Sequence, residues 1–245
     1  MKIKYYTGLI LVALMINACE KANPGHCFKN SGPVTTESRP TAPYTILNMQ
    51  DNVDVFLTYS AGYAIEVRAG KNIIPGIKTN ISDQTLTISN DNHCNWVRSF
   101  DKPIEVYLSL PRIDSILYQS SGNLISTNLF QGDSLRLDVT EGAGSIRLKI
   151  DMNRARFNLH YGTADLEVEG YSHINYLYSG GYGPADLSRL NTVFNYMTNN
   201  STNNCYVRSS LVLDVRIYNV GDVYYSGDPV DISTEISGTG KLYKQ

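Results

Sequence analysis

Charge is scarce in this sequence: 18% of its 245 residues are Asp, Glu, Lys or Arg, and 21 basic against 23 acidic side chains leave a formal net charge of −2. That balance excludes both the strongly basic surface that nucleic-acid binding needs and the acidic tail of a solvated polyelectrolyte. Histidine numbers only four, tryptophan one and cysteine four. There is no Cys-x-x-Cys and no His-x-x-x-His, so the common zinc spacings are missing. His26-Cys27 and His93-Cys94 are adjacent pairs, and neighbours on an extended chain point to opposite faces, which argues against joint ligation. No segment shows a convincing 3.6-residue apolar period. Without a strand–helix context there is no phosphate loop, dinucleotide fingerprint or Gly-x-Ser-x-Gly nucleophile elbow. Beyond the N-terminus no stretch approaches the roughly 18 apolar residues of a bilayer-spanning helix. No catalytic residues, no metal, no cofactor and no nucleic-acid partner are therefore expected.

What is present favours strands. Hydrophobic residues make up 42% of the chain, enough for a core, and 18 Tyr with 19 Gly suit strands joined by turns. The N-terminus reads as an address. Lys2 and Lys4 precede the short apolar run Leu9-Ile10-Leu11-Val12-Ala13-Leu14-Met15-Ile16, which ends in Asn17-Ala18-Cys19. This resembles a bacterial lipobox, in which Cys19 becomes the first mature residue and takes lipid. The expectation is a lipoprotein signal peptide over 1–18, lipidation at Cys19, and a Pro/Ser/Thr-rich tether over 19–43. The protein is then held at the outer membrane of the cell envelope by its lipid, with either face of that membrane open.

With Cys19 lipidated, three cysteines remain. Cys27 and Cys94 lie in loop-like sequence and are the first choice for a disulfide in an oxidising compartment. Cys205 stands where sister segments carry Ile, Leu or Val, and reads as a small buried apolar residue.

Residues 44–112 read as alternating strands, with Ala64-Ile65-Glu66-Val67-Arg68 and Ile104-Glu105-Val106-Tyr107-Leu108 the clearest. From 113 to 245 the chain repeats. Small or acidic turns are followed by an apolar residue at 124, 146, 166, 187, 205, 223 and 242, a spacing close to 20. One such unit cannot bury its apolar row alone, so the units must stack. The fold class read from this is all-β, a parallel β-solenoid (right-handed β-helix-like) with rungs of about 20 residues, spanning 44–245. Gly144 and Gly238 supply tight corners, and Asp165, Asp186 and Asp222 are read as turn-capping acids that accept backbone N–H groups. Gly180-Gly181-Tyr182-Gly183-Pro184-Ala185-Asp186-Leu187 occurs once and lacks the nine-residue period of calcium-binding repeats.

The serial Gly-x-Gly-Asp-hydrophobic turns, together with Tyr225-Ser226-Gly227-Asp228-Pro229 and Cys94-Asn95-Trp96-Val97-Arg98-Ser99, are similar to a bacterial family named putative auto-transporter adhesin, head GIN domain. The resemblance runs from about Tyr44 to the C-terminus. It implies a β-solenoid body in an exported lipoprotein of the Bacteroidetes type, with adhesion suggested by the family name and no established catalytic residues.

Tyr161, Tyr176, Tyr178 and Tyr182 are the candidate binding surface, because aromatic rings pack against sugars and at protein interfaces. The expected function is a non-enzymatic, adhesin-like body that binds a glycan, matrix or protein partner. Two alternatives stay open: a carbohydrate-active β-helix enzyme, with Asp165 and Asp186 as its acids, and a structural envelope protein that stacks on itself.

Overall fold

Alternation of apolar and polar side chains sends one row of each segment inward and the other to water. The computed structural model of the chain describes residues 30–92 and 103–245. Its strands are β1 (Val34–Arg39), β2 (Ile46–Asp51), β3 (Asp54–Tyr59), β4 (Ala64–Gly70), β5 (Ile77–Ser82), β6 (Thr85–Asn90), β7 (Glu105–Leu110), β8 (Ser115–Ser120), β9 (Leu124–Ser126), β10 (Phe130–Val139), β11 (Ser145–Leu159), β12 (Asp165–Ser179), β13 (Ala185–Asn199), β14 (Cys205–Arg208), β15 (Val212–Ile217), β16 (Val223–Ser226), β17 (Asp231–Ile236) and β18 (Leu242–Lys244). A single 3-10 turn, Ile74–Gly76, is the only helical element among the described residues.

The strands pile into two stacks. The first runs β5–β6–β2–β8–β10–β11–β12–β13–β15–β17. The second runs β1–β4–β7–β3–β9–β11–β12–β13–β14–β16–β18. Strands β11, β12 and β13 are 15 residues long and belong to both, their first halves in the second stack and their second halves in the first. They bend where alternation breaks: Met152 and Ala155 are buried, whereas Asn153 and Arg154 between them are both exposed. All pairings are parallel except β1/β4, β4/β7 and β5/β6. The chain is thus an all-β solenoid of about 6 turns, the fold class read from the repeat.

Register shows how the core is built. Every partner pair between β11 and β12 is offset by 20 residues, from Ser145↔Asp165 to Leu159↔Ser179. Inward residues therefore stack on inward residues. One core row is Leu137–Phe157–Leu177–Met197–Val215, all 0–2% exposed. Another is Val55–Leu124–Ile146–Leu166–Ala185–Cys205–Val223–Leu242. Each fully buried large side chain contributes about 1.5–3 kcal/mol, which is what holds rung on rung.

Two expectations are corrected here. The residue stacked on Leu166 and Cys205 is Ala185, not Leu187. A β-bulge at Glu167/Glu169 against Asp186–Arg189 shifts the register, so Leu166 meets Ala185 and Glu169 meets Arg189. Part of the segment read as a tether is structured: β1 pairs antiparallel with β4 over six residue pairs, Val34↔Gly70 to Arg39↔Ile65. Its sequence, VTTESR, is polar on both faces because it is an edge strand, and charge on an edge discourages further pairing. Residues 1–29, including Cys19 and Cys27, and residues 93–102, including Cys94, lie outside the described residues, so the lipidation and the Cys27–Cys94 bridge are untouched by the coordinates.

Cys205 is a free thiol with no exposed surface. Burial pushes its pKa up to about 11, against a smaller opposing effect from the neighbouring Ser179 hydroxyl. In the unfolded chain a thiol titrates near pH 8.5. The native state therefore holds its proton more tightly, and its contribution to stability is full below about pH 8.5 and lost as pH rises towards about 11. Urea denaturation at pH 8 and pH 10 should show wild type losing on the order of 2 kcal/mol more than Cys205→Ala. Equal losses in the two chains would refute the linkage.

Candidate binding face

On the outer side of the first stack, successive rungs align their side chains in rows. One row is Arg136–Arg156–Tyr176–Tyr196–Asp214, the next Asp138–Asn158–Tyr178–Thr198–Arg216. The Tyr176 and Tyr196 rings stack at 5.2 Å with a 17° interplanar angle, and the Arg156 guanidinium carbon lies 4.4 Å from the Tyr176 centroid. His160 packs on Tyr178 at 5.7 Å. Between the two rows runs a groove of about 240 Å³, floored by Leu177 and Met197. One wall carries Arg156, Tyr176, Tyr196 and Asp214, the other Asn158, Tyr178, Thr198 and Arg216.

Charges at the ends of this face are largely paired. Asp138 accepts hydrogen bonds from Arg136 and, at 2.8 Å, from Asn158 Nδ2, with His160 Nε2 at 3.6 Å. Partial burial alone would raise the Asp138 carboxyl pKa, but the hydrogen bonds from Arg136 and Asn158, with the Arg136 charge, outweigh it and hold it below the ordinary carboxylate range. Arg216 lies 3.6 Å from Asp214 and 3.8 Å from Glu235.

The four candidate tyrosines divide. Tyr176 and Tyr178 are half-buried members of the two groove walls. Tyr161 and Tyr182 stand on the turns that follow this face, 71% and 65% exposed. The stacking of Arg156, Tyr176 and Tyr196 covers ring faces along the row, so Tyr176 and Tyr196 offer a ligand chiefly their edges and hydroxyls. Tyr196 completes the wall at a register position 20 residues after Tyr176.

The turn residues form a capping ladder. Asp54 Oδ1 accepts the Asn123 N–H at 2.6 Å, and Asn123 Oδ1 accepts the Ser145 N–H at 3.1 Å. The Ser145 hydroxyl donates to Asp165 at 2.8 Å. Further along, Asn204 Oδ1 accepts the Asp222 N–H at 3.1 Å, and Asp222 Oδ1 accepts the Lys241 N–H at 2.8 Å. Each such bond is worth about 0.5–1.5 kcal/mol net. Asp186 is not in this row: it pairs with Glu167 and Tyr206, and its Oδ1 accepts from Ser188 N–H and Oγ. Gly144 is buried on this corner and Gly238 partly so; a β-carbon at either would run into a carbonyl of the preceding rung, Gly122 or Asn219. Among the described residues no three His, Cys, Asp or Glu side chains are grouped to hold a metal ion.

The outer side of the second stack is different. Arg147, Lys149, Glu167, Glu169 and Arg189 interlock at 3.1–3.6 Å, each charge answered by its neighbour. Exposed pairs of this kind contribute about 0–1 kcal/mol each. Beyond them Tyr206, Tyr224 and Tyr243 stack at 5.1 and 5.3 Å.

Comparison with known proteins places this architecture. Solved structures that share it include a putative adhesin from Bacteroides fragilis, 17% identical, TM-score 0.79, covering 87% of this chain and 97% of that one. A putative lipid binding protein from Parabacteroides distasonis is 16% identical with TM-score 0.68, over 88% of this chain and 98% of that one. A putative adhesin from Parabacteroides distasonis is 14% identical with TM-score 0.67, over 87% and 98%. At such identities the likeness is one of fold. No curated protein matches the chain. The family model described as putative auto-transporter adhesin, head GIN domain, matches residues 43–229, the greater part of the solenoid, and the chain belongs to that family.

Proposed function

We propose that the protein is a lipid-anchored cell-envelope binding protein, non-enzymatic, whose first-stack groove holds a linear carbohydrate chain. The observation that carries this is the groove itself. Its walls repeat on successive rungs at about 4.8 Å, a step close to that of a sugar unit in an extended polysaccharide. The tyrosine edges and hydroxyls of one wall and the Asn158, Tyr178 and Thr198 polar groups of the other suit the ring hydroxyls of a sugar chain laid along the groove. Asp222 accepts the Lys241 N–H, Asp165 the Ser145 hydroxyl, and Asp186 the Ser188 N–H and hydroxyl, so each of these acids is held in a local hydrogen bond. Family membership in an adhesin-like group supports a binding role. The lipobox-like Asn17-Ala18-Cys19 supports the anchor.

One experiment tests both parts. The Cys19→Ala chain is expected to leave the membrane fraction and, freed of lipid, to bind members of a glycan array. Adding Tyr196→Ala should weaken that binding by about tenfold. Membrane retention of Cys19→Ala would defeat the anchor, and a silent array or an indifferent Tyr196→Ala would defeat the groove.

A further inference from the structure

We infer that the groove selects an acidic polysaccharide, and that Arg156, with Arg154 beside it, grips the acid group; the inference rests on the groove reading above. Register places Arg136 directly against Arg156 on neighbouring strands, and like charges in that position repel. Arg154 is two residues before Arg156 on the same strand and so on the same face. Arg136 is answered by Asp138. Arg154 and Arg156 make no ion pair among the described residues, in a chain whose net charge is −2 and whose other exposed cations are mostly paired.

The next two strands add no counter-charge. The outward residues of β12 and β13 on this face are Ile174, Tyr176, Tyr178, Phe194, Tyr196 and Thr198. Along its own row, Arg156 meets no carboxylate before Asp214, three rungs away, about 14 Å at the usual strand spacing. That exceeds the Debye length of about 8 Å at physiological salt. The nearer carboxylate, Asp138 on the adjoining row, is taken up by Arg136 and Asn158, so Arg154 and Arg156 leave an excess of positive charge at this end of the groove.

Guanidinium geometry narrows the ligand. The Tyr176 ring holds the Arg156 guanidinium carbon 4.4 Å from its centroid, and a guanidinium so anchored can meet the two oxygens of a carboxylate or sulfate side by side. An extended acidic peptide fits less well. The floor strands are already bonded on both sides, Leu177 between Phe157 and Met197, and Met197 between Leu177 and Val215, so no backbone edge is free for strand addition.

The test measures binding of the full chain to hyaluronate (carboxylates only), dextran sulfate (sulfates only), neutral dextran and polyglutamate. Hyaluronate or dextran sulfate should bind above neutral dextran, and which of the two binds identifies the acid. Arg156→Ala should cost about tenfold, and Arg156→Lys, which keeps the charge but loses the fork, should recover only part of it. Arg147→Ala on the opposite side should change nothing. If neutral dextran binds as well as the acidic polymers, or Arg156→Ala has no effect on them, the acid-grip inference falls and the groove stands. Preference for polyglutamate overturns it in favour of a protein partner. No polysaccharide binding at all overturns both the inference and the groove.

Discussion

Replacing Gly144 by alanine is expected to destabilise the folded chain by about 3–5 kcal/mol. The new β-carbon would fall well inside contact distance of both the Gly122 carbonyl oxygen and the Tyr118 hydroxyl. Neither can yield easily. Gly122 is backbone of the preceding rung, and Tyr118 is fully buried with its hydroxyl donating to that same carbonyl at 2.6 Å. The turn must lift off its neighbour, or the buried hydrogen bond must break, and the capping bond from Ser145 N–H to Asn123 goes with it. Gly62→Ala is the control, since nothing lies within 4 Å of its β-carbon. Chemical denaturation of the two variants measures the difference, and a Gly144→Ala chain as stable as Gly62→Ala would show that the rungs are not in close contact at this corner.

Phe157→Ala should be of similar size for a different reason. Phe157 is 0% exposed and sits between Leu137 of the rung before and Leu177 of the rung after. Truncation leaves a void that two rungs share, and loss of a buried Phe in a core typically costs about 3–5 kcal/mol. In a stack where each rung touches only its neighbours, that loss falls on the two interfaces at once. Phe157→Leu, which keeps most of the volume, should cost under about 1.5 kcal/mol. A loss below about 1 kcal/mol for Phe157→Ala would mean that this row closes around the gap.

The rung spacing was legible because an inward row must stay apolar to stack, and Ile146, Leu166, Cys205 and Val223 keep that rule over uneven turn lengths. Leu187 broke the reading. The bulge beside Asp186–Arg189 moves the register without any mark in composition, and Ala185 is too small to stand out as core. Asp186 falls opposite Glu167 and so lies outside the capping row. Strand β1 was hidden because it borrows its order from antiparallel β4 and buries little of its own. Period-two alternation sufficed to put Tyr176 with Tyr178, and Arg154 with Arg156. It was silent on Arg136 facing Arg156, because that neighbour exists only once the register is known. Tyr161 and Tyr182 read like their sisters in sequence, yet turn positions set them apart from the groove.

The uniform offset of 20 residues between β11 and β12 has an architectural consequence. A duplicated copy of that unit would settle onto its parent with core over core and cap over cap, asking nothing new of the strands above or below. Chain length along the axis is thus a quantity that tandem duplication can adjust in whole steps, lengthening the outer rows of side chains by one increment each time while both ends of the molecule keep their own structure.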